Sequence, residues 1–474
     1  MSDAFRSFLL TGAALVALTA PVCAQTDPRV PILEQQLRDV RAEIDALKKA
    51  QAINTSQVAD LGKQVAAQPK VTHPNGRFTF ASSDGQFSLS LRALMQFDVG
   101  HFSQGRNPPS IDLNSGTNFR RAQLGFQGTA FRDWSYNFIY DFGGYGVEGR
   151  GYIYNAYIQY DGWKPFYFRI GAYTPPQGLE DQTGSGDLFF PERATSVDIA
   201  RGLAGAPSRE AASIYVQGDT YLASISYTGK KTGDGTSTGA SVPTFDSQQA
   251  LIARAAWLAV SQPDFKWLVE AHLTEVLKLA DSAPGSALSA IRFSNGSEVA
   301  VDGNKTVDTG TLDANSAREF GFETAGQFDR FYTQAGWFRY EIERRIAVPN
   351  PHFTGWYAFL TYSLTGEVHP YDPATASFRN LRPDAPLGSR NGWGAWEVAA
   401  RYSSTDLDFR PSNTAATGGV PGGKQDIWTL GLNWYPNNTV KFQLNYNNLQ
   451  VAHPNAPLND ISASAIVLRS QFSL

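Results

Sequence analysis

From residue 76 onward, apolar and polar side chains alternate with a period of two in sixteen short runs. In the first run the odd positions from Phe87 to Val99 are all apolar, whereas Ser88, Ser90 and Arg92 lie between them. Because successive side chains of a β-strand point to opposite faces, each run predicts a strand with one apolar and one polar face. The runs are residues 86–99, 119–130, 134–142, 151–160, 166–174, 211–218, 221–229, 248–260, 266–277, 317–328, 331–343, 353–365, 393–403, 425–435, 440–449 and 462–474.

The connections between these runs alternate in length. Short turns are followed by long loops, and the long loops are 100–118, 175–210, 230–247, 278–316 and 404–424. The exception is 366–392, a long connection on the short-turn side that carries Arg379, Arg382 and Arg390. An even strand number with short turns at one end is typical of outer-membrane barrels. We therefore predict an all-β fold, a 16-stranded antiparallel transmembrane β-barrel with periplasmic turns and extracellular loops.

The composition favours the same fold. Aromatic residues make up 13% of the 474 residues, and the mean hydropathy is −0.29. A membrane-spanning helix needs about 18 apolar residues in succession, and no run beyond the N-terminus approaches this, whereas a barrel strand is apolar only at alternate positions. A large soluble β-sandwich or propeller is the alternative, but no blade-length repeat supports it. Aromatic side chains gather at strand ends, as in interfacial girdles: Trp134, Tyr160, Trp163, Phe166, Tyr227, Trp267, Trp393, Trp434 and Tyr435.

The first 24 residues have the pattern of a secretory signal peptide. Arg6 supplies a weak positive region, residues 9–20 form an apolar core, and Val22-Cys23-Ala24 resembles a cleavage site. A lipoprotein signal at Cys23 is the alternative, although Val22 is large for the position before a lipidated cysteine. Cys23 is the only cysteine, so the mature chain would have neither disulfides nor thiol chemistry.

Residues 30–68 repeat every seven positions. Five heptads with charged flanks predict an α-helical coiled coil, and a single surface helix is the alternative. A polar layer at Gln51 and Asn54 would fix register and strand number, and Pro69 and Pro74 bound the segment. The apolar core positions are Val30, Leu33, Leu37, Val40, Ile44, Leu47, Val58, Leu61 and Val65.

The stretch 175–210 interrupts the alternation with a charged segment rich in Gly and Pro. A loop of this length within a compact β pattern is usually functional, and we expect it to fold inward and narrow the hole inside the barrel. Its charges are mixed, which predicts a constriction that is not purely cationic. They are the acids Glu180, Asp181, Asp187, Glu192, Asp198 and Glu210, and the bases Arg193, Arg201 and Arg209.

Five long stretches closely resemble, in the same order, the phosphate-selective porin family of the porin O/P type. The resemblance covers residues 76–474. It implies a homotrimer of 16-stranded barrels in the bacterial outer membrane, with the third extracellular loop folded into each pore; an N-terminal coiled coil is common in relatives. The stretches are FRRAQLGFQGTAFRDWSYNFIYDF (119–142), RIGAYTPPQGLEDQTGSGDLFFPERA (169–194), YSLTGE (362–367), GWGAWEVAARY (392–402) and TLGLNWYPNNTVKFQLNY (429–446).

The resemblance also implies anion-binding residues. The paired arginines of the FRRA motif and the arginine of the loop's ER motif correspond to Arg120, Arg121 and Arg193. A guanidinium stays charged and offers a planar fork of donors to an oxyanion. Alternation predicts that Arg121 points inward and that Arg120 lies near the loop end of its strand. The alternative is that these arginines pair with nearby carboxylates, such as Glu192, and hold the loop in place.

The chain departs from the phosphate-selective pattern at several positions, so we expect only a weak preference for anions. Gln123 replaces an aromatic residue, Asp181 replaces a basic residue, and Leu94 replaces a wall arginine. The fifth loop, 278–316, offers only Lys278, Arg292 and Lys305 where selective members are arginine-rich. The candidate pore or anion-binding residues are Arg120, Arg121, Arg169, Arg193, Arg201, Arg209, Arg390 and Lys441, and the constriction-loop acids are Asp181, Asp187, Glu192 and Asp198.

Other motifs lack the context that their chemistry requires. The GxGxxG match at 144–149 precedes a predicted strand instead of a helix, and the GxSxG match at 235–239 lies in a loop. The six histidines are scattered without metal-ligand spacing. Alternate oxygen-bearing side chains could hold calcium in a loop, although a solvated loop is the simpler interpretation; they are Asp302, Asn304, Thr306 and Asp308.

We therefore predict a passive porin for small hydrophilic solutes, with outer-membrane lipid as its surroundings and phosphate or other small anions among its solutes. It would need no cofactor and would not be an enzyme, and a net charge of −4 is no footprint for nucleic acid. The alternative function is structural, with the barrel anchoring a periplasmic coiled coil that tethers the envelope. An outer-membrane hydrolase is a third possibility, without a catalytic constellation to support it.

Overall fold

The computed structural model describes residues 28–73, 76–106, 108, 111–143, 151–232, 246–281, 290–454 and 459–474. The predicted signal peptide and the two motifs at 144–149 and 235–239 lie outside these residues. The chain divides into two compact units, residues 1–68 and 69–474.

Among the described residues of the second unit, sixteen long antiparallel strands form a barrel wall, and each pairs with the next along the chain. The last strand pairs with the first from Ser462–Arg106 to Ser473–Leu94, which closes the sheet into a barrel. The prediction of a 16-stranded antiparallel barrel is confirmed. The strands are β1 Ser88–Arg106, β2 Gly116–Ala130, β3 Trp134–Asp141, β4 Tyr152–Trp163, β5 Phe166–Tyr173, β6 Arg209–Gln217, β7 Tyr221–Lys231, β8 Gln249–Ser261, β9 Phe265–Lys278, β10 Ser316–Phe328, β11 Phe331–Glu343, β12 His352–Ser363, β13 Ala395–Phe409, β14 Val420–Tyr435, β15 Val440–Ala452 and β16 Ile461–Ser473.

Several strands extend further on the long-loop side than the sequence pattern predicts. β1 continues to Arg106, and β13 and β14 pair out to Phe409 and Val420. The alternating pattern identifies only the part of a strand whose outer face is apolar. Backbone hydrogen bonds continue beyond that part wherever two strands run side by side. Two short strands, Lys70–Thr72 and Thr79–Ala81, precede the barrel, and the second pairs with the start of β1.

The two faces of the barrel wall differ as the alternation predicts. Large apolar side chains cover the outer face; Leu124 and Trp257, for example, are each 57% exposed. The inward positions carry charged side chains that are almost completely buried, among them Glu323, Arg401 and Arg469. The inside of the barrel is therefore packed with polar groups.

A β-bulge interrupts the pairing of β1 with β2. Gln96 lies opposite Arg121 and Phe97 lies opposite Phe119, so Arg120 is an extra residue without a partner across the strand pair. A bulge re-aims the side chain of its extra residue. Arg120 consequently points into the barrel beside Arg121, instead of following the simple alternation.

Three connections also pack against the inner face. The connection between β5 and β6 contains two short helices, α2 Leu179–Gln182 and α3 Thr195–Ala204. The connection between β9 and β10 carries a small hairpin, Ser294–Asn295 with Val307–Asp308. The connection between β12 and β13 carries another, Tyr371–Asp372 with Ser377–Phe378.

The first unit contains one long helix, Val30–Ala67, and none of its residues is buried. Its heptad core residues are exposed, with Leu33 at 59% and Leu47 at 63%. Among the helices of the described residues, none has the length and apolar character needed to cross a membrane.

We predict that Gly125→Ala prevents stable barrel folding, whereas Gly116→Ala in the same strand is tolerated. A Cβ atom at Gly125 would lie 2.0 Å from the Phe138 carbonyl oxygen, and at Gly116 it would meet nothing within 4 Å. Overpacking against backbone costs about 1–3 kcal/mol or more. The readout is the fraction of protein that migrates as a folded barrel on unheated gels; equal fractions for both variants would contradict the prediction.

Candidate pore constriction

Residues 174–208, here called the constriction loop, reach from β5 and β6 to the opposite wall. Their backbone carbonyls accept hydrogen bonds from inward side chains of β1 and β14–β16. Asn433 donates to the Phe189 carbonyl (2.9 Å) and Gln471 to the Gly186 carbonyl (2.8 Å). Gln96 donates to the Ser185 carbonyl and Lys441 to the Leu188 carbonyl. Gln443 donates to the carbonyls of both Leu188 and Phe189.

The first helix of the constriction loop is fixed at its N-terminus by a wall carboxylate. Glu323 of β10 accepts hydrogen bonds from the backbone N–H of Leu179 and from that of Glu180 (3.3 Å). A carboxylate is favourable there because helix N-terminal N–H groups lack intrahelical partners. The Glu323 carboxylate can come this close to the helix only because residue 178 is a glycine: a Cβ atom there would lie 2.2 Å from the carboxylate. The Tyr357 hydroxyl also donates to Glu323.

The second helix is fixed by an acid from the fifth loop. Glu298 accepts a hydrogen bond from the Thr195 backbone N–H (2.7 Å) and from Ser403 of β13 (2.8 Å). Arg401 of β13 donates to the same carboxylate (2.6 Å). Glu298 has a φ of +59°, a strained conformation for a residue with a side chain. The fifth loop, the constriction loop and the wall therefore meet at one buried acid that sequence patterns did not indicate.

Glu192, in the loop's ER motif, is held by arginines from β2 and β16, the strands on either side of β1. Arg120 donates to it twice (2.8 and 3.0 Å) and Arg469 once (2.7 Å). Arg469 also makes a two-pronged contact with Asp98 (2.6 Å for each bond). Although burial alone would raise the pKa of Glu192, the charges of Arg120 and Arg469 hold it well below its usual range. The carboxylate is therefore permanently ionised and neutralises this part of the pore.

Arg121 lies beside Arg120, and no acid among the described residues is within bonding distance of it. Its guanidinium donates to the Gln96 side chain (2.6 Å), and the residue is 5% exposed. The bulge thus brings together the two arginines of the FRRA motif, and Arg120 is the one that binds the loop.

Arg193 is buried within the constriction loop itself. It donates to the carbonyls of Glu180 (3.0 Å), Asp181 (3.2 Å) and Thr183 (2.7 Å), which end the first loop helix. Burial and the nearby charge of Arg201 lower the pKa of Arg193. These contacts hold the loop in its conformation, as in the alternative that the arginines stabilise the loop instead of binding anions.

The second loop helix contributes a further internal ion pair. Arg201 donates to Asp181 (2.5 Å) and lies 3.7 Å from Asp198. Burial would raise the pKa of Asp181, but the charges of Arg201 and Arg193 lower it below its ordinary value. Two predicted acids and two predicted bases of the loop are therefore brought together, largely to neutralise one another.

The remaining candidates lie apart from this cluster. Arg209 donates to backbone carbonyls of Leu203 (3.3 Å) and Gly229 (3.2 Å). The Arg169 guanidinium lies over the rings of three tyrosines on the inner wall, 4.3–5.3 Å from their centres. Lys441 donates to Asn380 (2.9 Å) as well as to the loop. Arg390 is exposed in the connection after β12.

A polar cavity of about 520 Å³ opens on the short-turn side of the constriction loop. Its floor is the loop segment from Gly184 to Asp187, and we call it the vestibule. Asp187 accepts a hydrogen bond from the Asn380 backbone N–H (3.1 Å), which fastens the connection after β12 beneath the loop. The charged groups lining the vestibule are Arg77, Arg92, Arg379, Arg382, Lys441, Asp187 and the C-terminal residue Leu474.

Four of these arginines were absent from the sequence-based candidates. Arg379 pairs with Asp372, whereas the described residues offer no hydrogen-bond acceptor to the Arg77 Nε atom, which is buried. Burial and the neighbouring charges of Arg92 and Arg379 lower the pKa of Arg77 to about 10. The sequence held two clues, the inward position of Arg92 and the arginines of the unusually long connection 366–392.

The residues that could hold a metal ion are engaged elsewhere. In the suggested calcium loop, Asp302 accepts amide N–H groups of Asn114 and Asn304, and Asp308 pairs with Arg292. In the buried group Glu270, His272 and Glu323, both His272 ring nitrogens face carboxylates at 2.9 Å. Neither set has ligand atoms to spare for a cation.

Comparison with known proteins agrees with this architecture. The chain is 26% identical over 389 residues to Porin O of Pseudomonas aeruginosa, covering 79% of this chain and 86% of that protein. It is also 26% identical over 388 residues to an uncharacterized protein of Caulobacter vibrioides, covering 81% and 72%. The solved structure of Pseudomonas putida OprB has the same fold, with a TM-score of 0.50 at 10% identity over 82% of this chain and 95% of that one.

The family model described as "Phosphate-selective porin O and P" matches residues 87–474, which is nearly the whole barrel. The resemblance found in the FRRA and ER motifs is thereby confirmed, and with it the outer-membrane location and the channel character of the barrel. The chain belongs to the phosphate-selective porin O and P family of outer-membrane porins.

Proposed function

We propose that this outer-membrane porin passes small hydrophilic solutes with a weak preference for anions, phosphate among them, and that the preference is set in the vestibule. The observation that carries the proposal is the excess of cationic side chains around one polar cavity. Five basic side chains face Asp187 and the C-terminal carboxylate there. The positive side chains repel one another, and an anion that enters the cavity reduces this repulsion.

In this proposal the constriction loop narrows the pore, and it contributes little to the preference for anions. Its arginines are committed to carboxylates and backbone carbonyls, as the contacts of Arg193 and Arg201 illustrate. A guanidinium whose donors are already used has few left for a passing oxyanion. An anion crossing the loop would instead be drawn by the unpaired charge beyond it, and a preference created in this way remains weak enough for release.

The α1 helix, Val30–Ala67, supports a further part of the proposal, namely that three copies form a coiled coil. Its apolar stripe is exposed along its whole length in the single chain. A heptad stripe of this kind is buried when helices associate, and a three-stranded bundle would match a trimer of barrels. The helix would then drive or stabilise assembly without taking part in conduction.

The Glu180 carboxyl makes the constriction loop sensitive to pH. Burial raises its pKa from 4.5 to about 7, against the opposing charges of Arg401 and Arg193. Since this pKa is raised, the protonated acid is the form that the folded loop favours. The stabilisation is therefore complete below about pH 4.5 and is lost as the pH rises through about 7.

For the vestibule, we predict that the double variant Arg77→Gln with Arg92→Gln lowers the anion-to-cation permeability ratio by about two- to fivefold, because two positive charges are removed from the lining of the cavity. The measurement is the reversal potential of single channels in a salt gradient. Lys164→Gln with Arg390→Gln is the matched control, since it removes the same two positive charges from exposed sites that do not line the cavity. An unchanged reversal potential in the double variant would place the selectivity elsewhere.

For the loop, we predict that open-channel current noise increases between about pH 5.5 and about pH 8.5, because ionised Glu180 is less stable in its buried site. Glu180→Gln keeps the neutral shape and should give the same low noise at both pH values. If the variant retains the wild-type pH profile, another group is responsible.

For the helix, Leu37→Asp with Ile44→Asp should shift the trimer-to-monomer equilibrium by at least about a hundredfold, because buried unpaired carboxylates are strongly unfavourable. Analytical ultracentrifugation in detergent measures the shift. Gln35→Asp with Ala42→Asp is the control on the outer side of the heptads. Intact trimers in the core variant, combined with a detached envelope in cells, would favour the tethering function instead.

A further inference from the structure

The outer face of the barrel carries a band of charged side chains near the long-loop ends of β9–β14. Across neighbouring strands, Glu275 lies opposite Arg318, Arg318 opposite Glu341, and Glu341 opposite His352. One register row lower, Asp406 lies opposite Lys424. Strands of such barrels tilt by about 35–45° from the membrane normal. A row of directly opposite residues is therefore inclined to the membrane, and a band parallel to the membrane passes from one such row to the next. We call these residues, together with Arg339, the charged belt.

The belt side chains face outward and remain accessible. The Arg318 side chain is 55% exposed and that of Arg339 is 41% exposed. Arg318 pairs with Glu275 at 2.5 Å and Arg339 with Glu341 at 2.7 Å. Exposed ion pairs of this kind contribute little to stability, so folding alone gives a weak reason for so many charges on a lipid-facing wall.

Aromatic rings directly below the belt set its height in the membrane. Trp356 packs on Tyr402 (5.1 Å between ring centres), and Tyr402 packs on Trp428 (4.6 Å). Tyr and Trp on the outer face mark the boundary between hydrocarbon and headgroups. The belt therefore lies at the headgroup level of the leaflet on the long-loop side, which is the outer leaflet.

The belt covers only part of the circumference. It ends at β8, where Leu251 lies opposite Glu275. At the corresponding height on β3 and β4 the outward residues are Phe142 and Ile153, and β6 and β7 contribute the ion pair of Glu210 with Lys230. Among the described residues at this height, β3–β8 thus combine apolar side chains with the ion pair of Glu210 and Lys230, whereas β9–β14 carry an extended row of alternating charges.

We propose that the charged belt binds the phosphorylated headgroup of lipopolysaccharide, with Arg318, Arg339 and Lys424 contacting phosphates. The alternation of acidic and basic side chains along the belt is the feature that favours lipopolysaccharide as the ligand. Phosphates of this lipid are bridged by divalent cations, so a matching surface offers basic groups to the phosphates and carboxylates to the bridging cations. Glu275, Glu341 and Asp406 supply those carboxylates.

The test compares purified trimers that have been refolded without lipid. Lipopolysaccharide with Mg²⁺ should raise the melting temperature of the wild type, whereas dephosphorylated lipid should not. Arg318→Ala with Arg339→Ala and Lys424→Ala should weaken the apparent affinity by about a hundredfold, since each basic side chain near an anionic lipid surface contributes about fivefold. The control Lys278→Ala with Arg292→Ala and Lys305→Ala removes equal charge from extracellular positions and should bind normally.

A second variant tests the role of the acids and keeps every basic residue. Glu275→Gln with Glu341→Gln and Asp406→Asn should still bind the lipid but should lose the sensitivity of binding to a chelator. Equal affinity of the wild type and the basic-residue variant, or equal binding of dephosphorylated lipid, would overturn the proposal. Dissociation of the basic-residue variant into monomers would also overturn it, because the belt would then be a contact between copies of this chain. Single-channel selectivity, which tests the vestibule, is independent of all these outcomes.

Discussion

The need to neutralise the charges that are buried where the loops cross the barrel determines much of this structure. A charged group removed from water is strongly unfavourable unless opposite charges and hydrogen bonds replace the water. Arg469 meets this requirement through Asp98 and Glu192, and Arg401 through Glu298 and the Glu192 carbonyl. The constriction loop and the fifth loop therefore pack inside the barrel because the inner wall supplies the groups that their backbones and acids need.

The matching of charges differs between the constriction loop and the vestibule. Where the loop crosses the lumen, arginines and acids are matched, as in the contact of Arg120 with Glu192. Beyond the loop, Arg77 lies close to Arg92 and Arg379, and Asp187 is the one carboxylate side chain among the described residues that line the cavity. Burial and the two neighbouring positive charges therefore lower the pKa of Arg77. In the proposed function, a solute crosses the loop region, where the charges are matched, and then enters the cationic vestibule. This order suits a channel that prefers anions and still releases them.

The buried network also couples parts of the molecule that are distant in the chain. Glu298 joins the fifth loop, the second loop helix and β13, so a movement of the fifth loop breaks the contact at Thr195. Glu180 lies 3.7 Å from the same Arg401. Protonation of one loop acid therefore acts on the elements that line the passage, which gives the constriction a physical route to respond to pH.

The sequence by itself determined the strand number, the closed antiparallel barrel and the family, because an apolar residue at every second position is required by lipid on one side of a strand. It also placed Arg121 on the inner face. Only the tertiary structure decided that Arg120 points inward, since a bulge of one residue reverses the alternation locally. It likewise decided that Arg193 braces the loop and that Arg77, Arg92 and Arg379 share one cavity, because barrel closure alone brings such distant segments together.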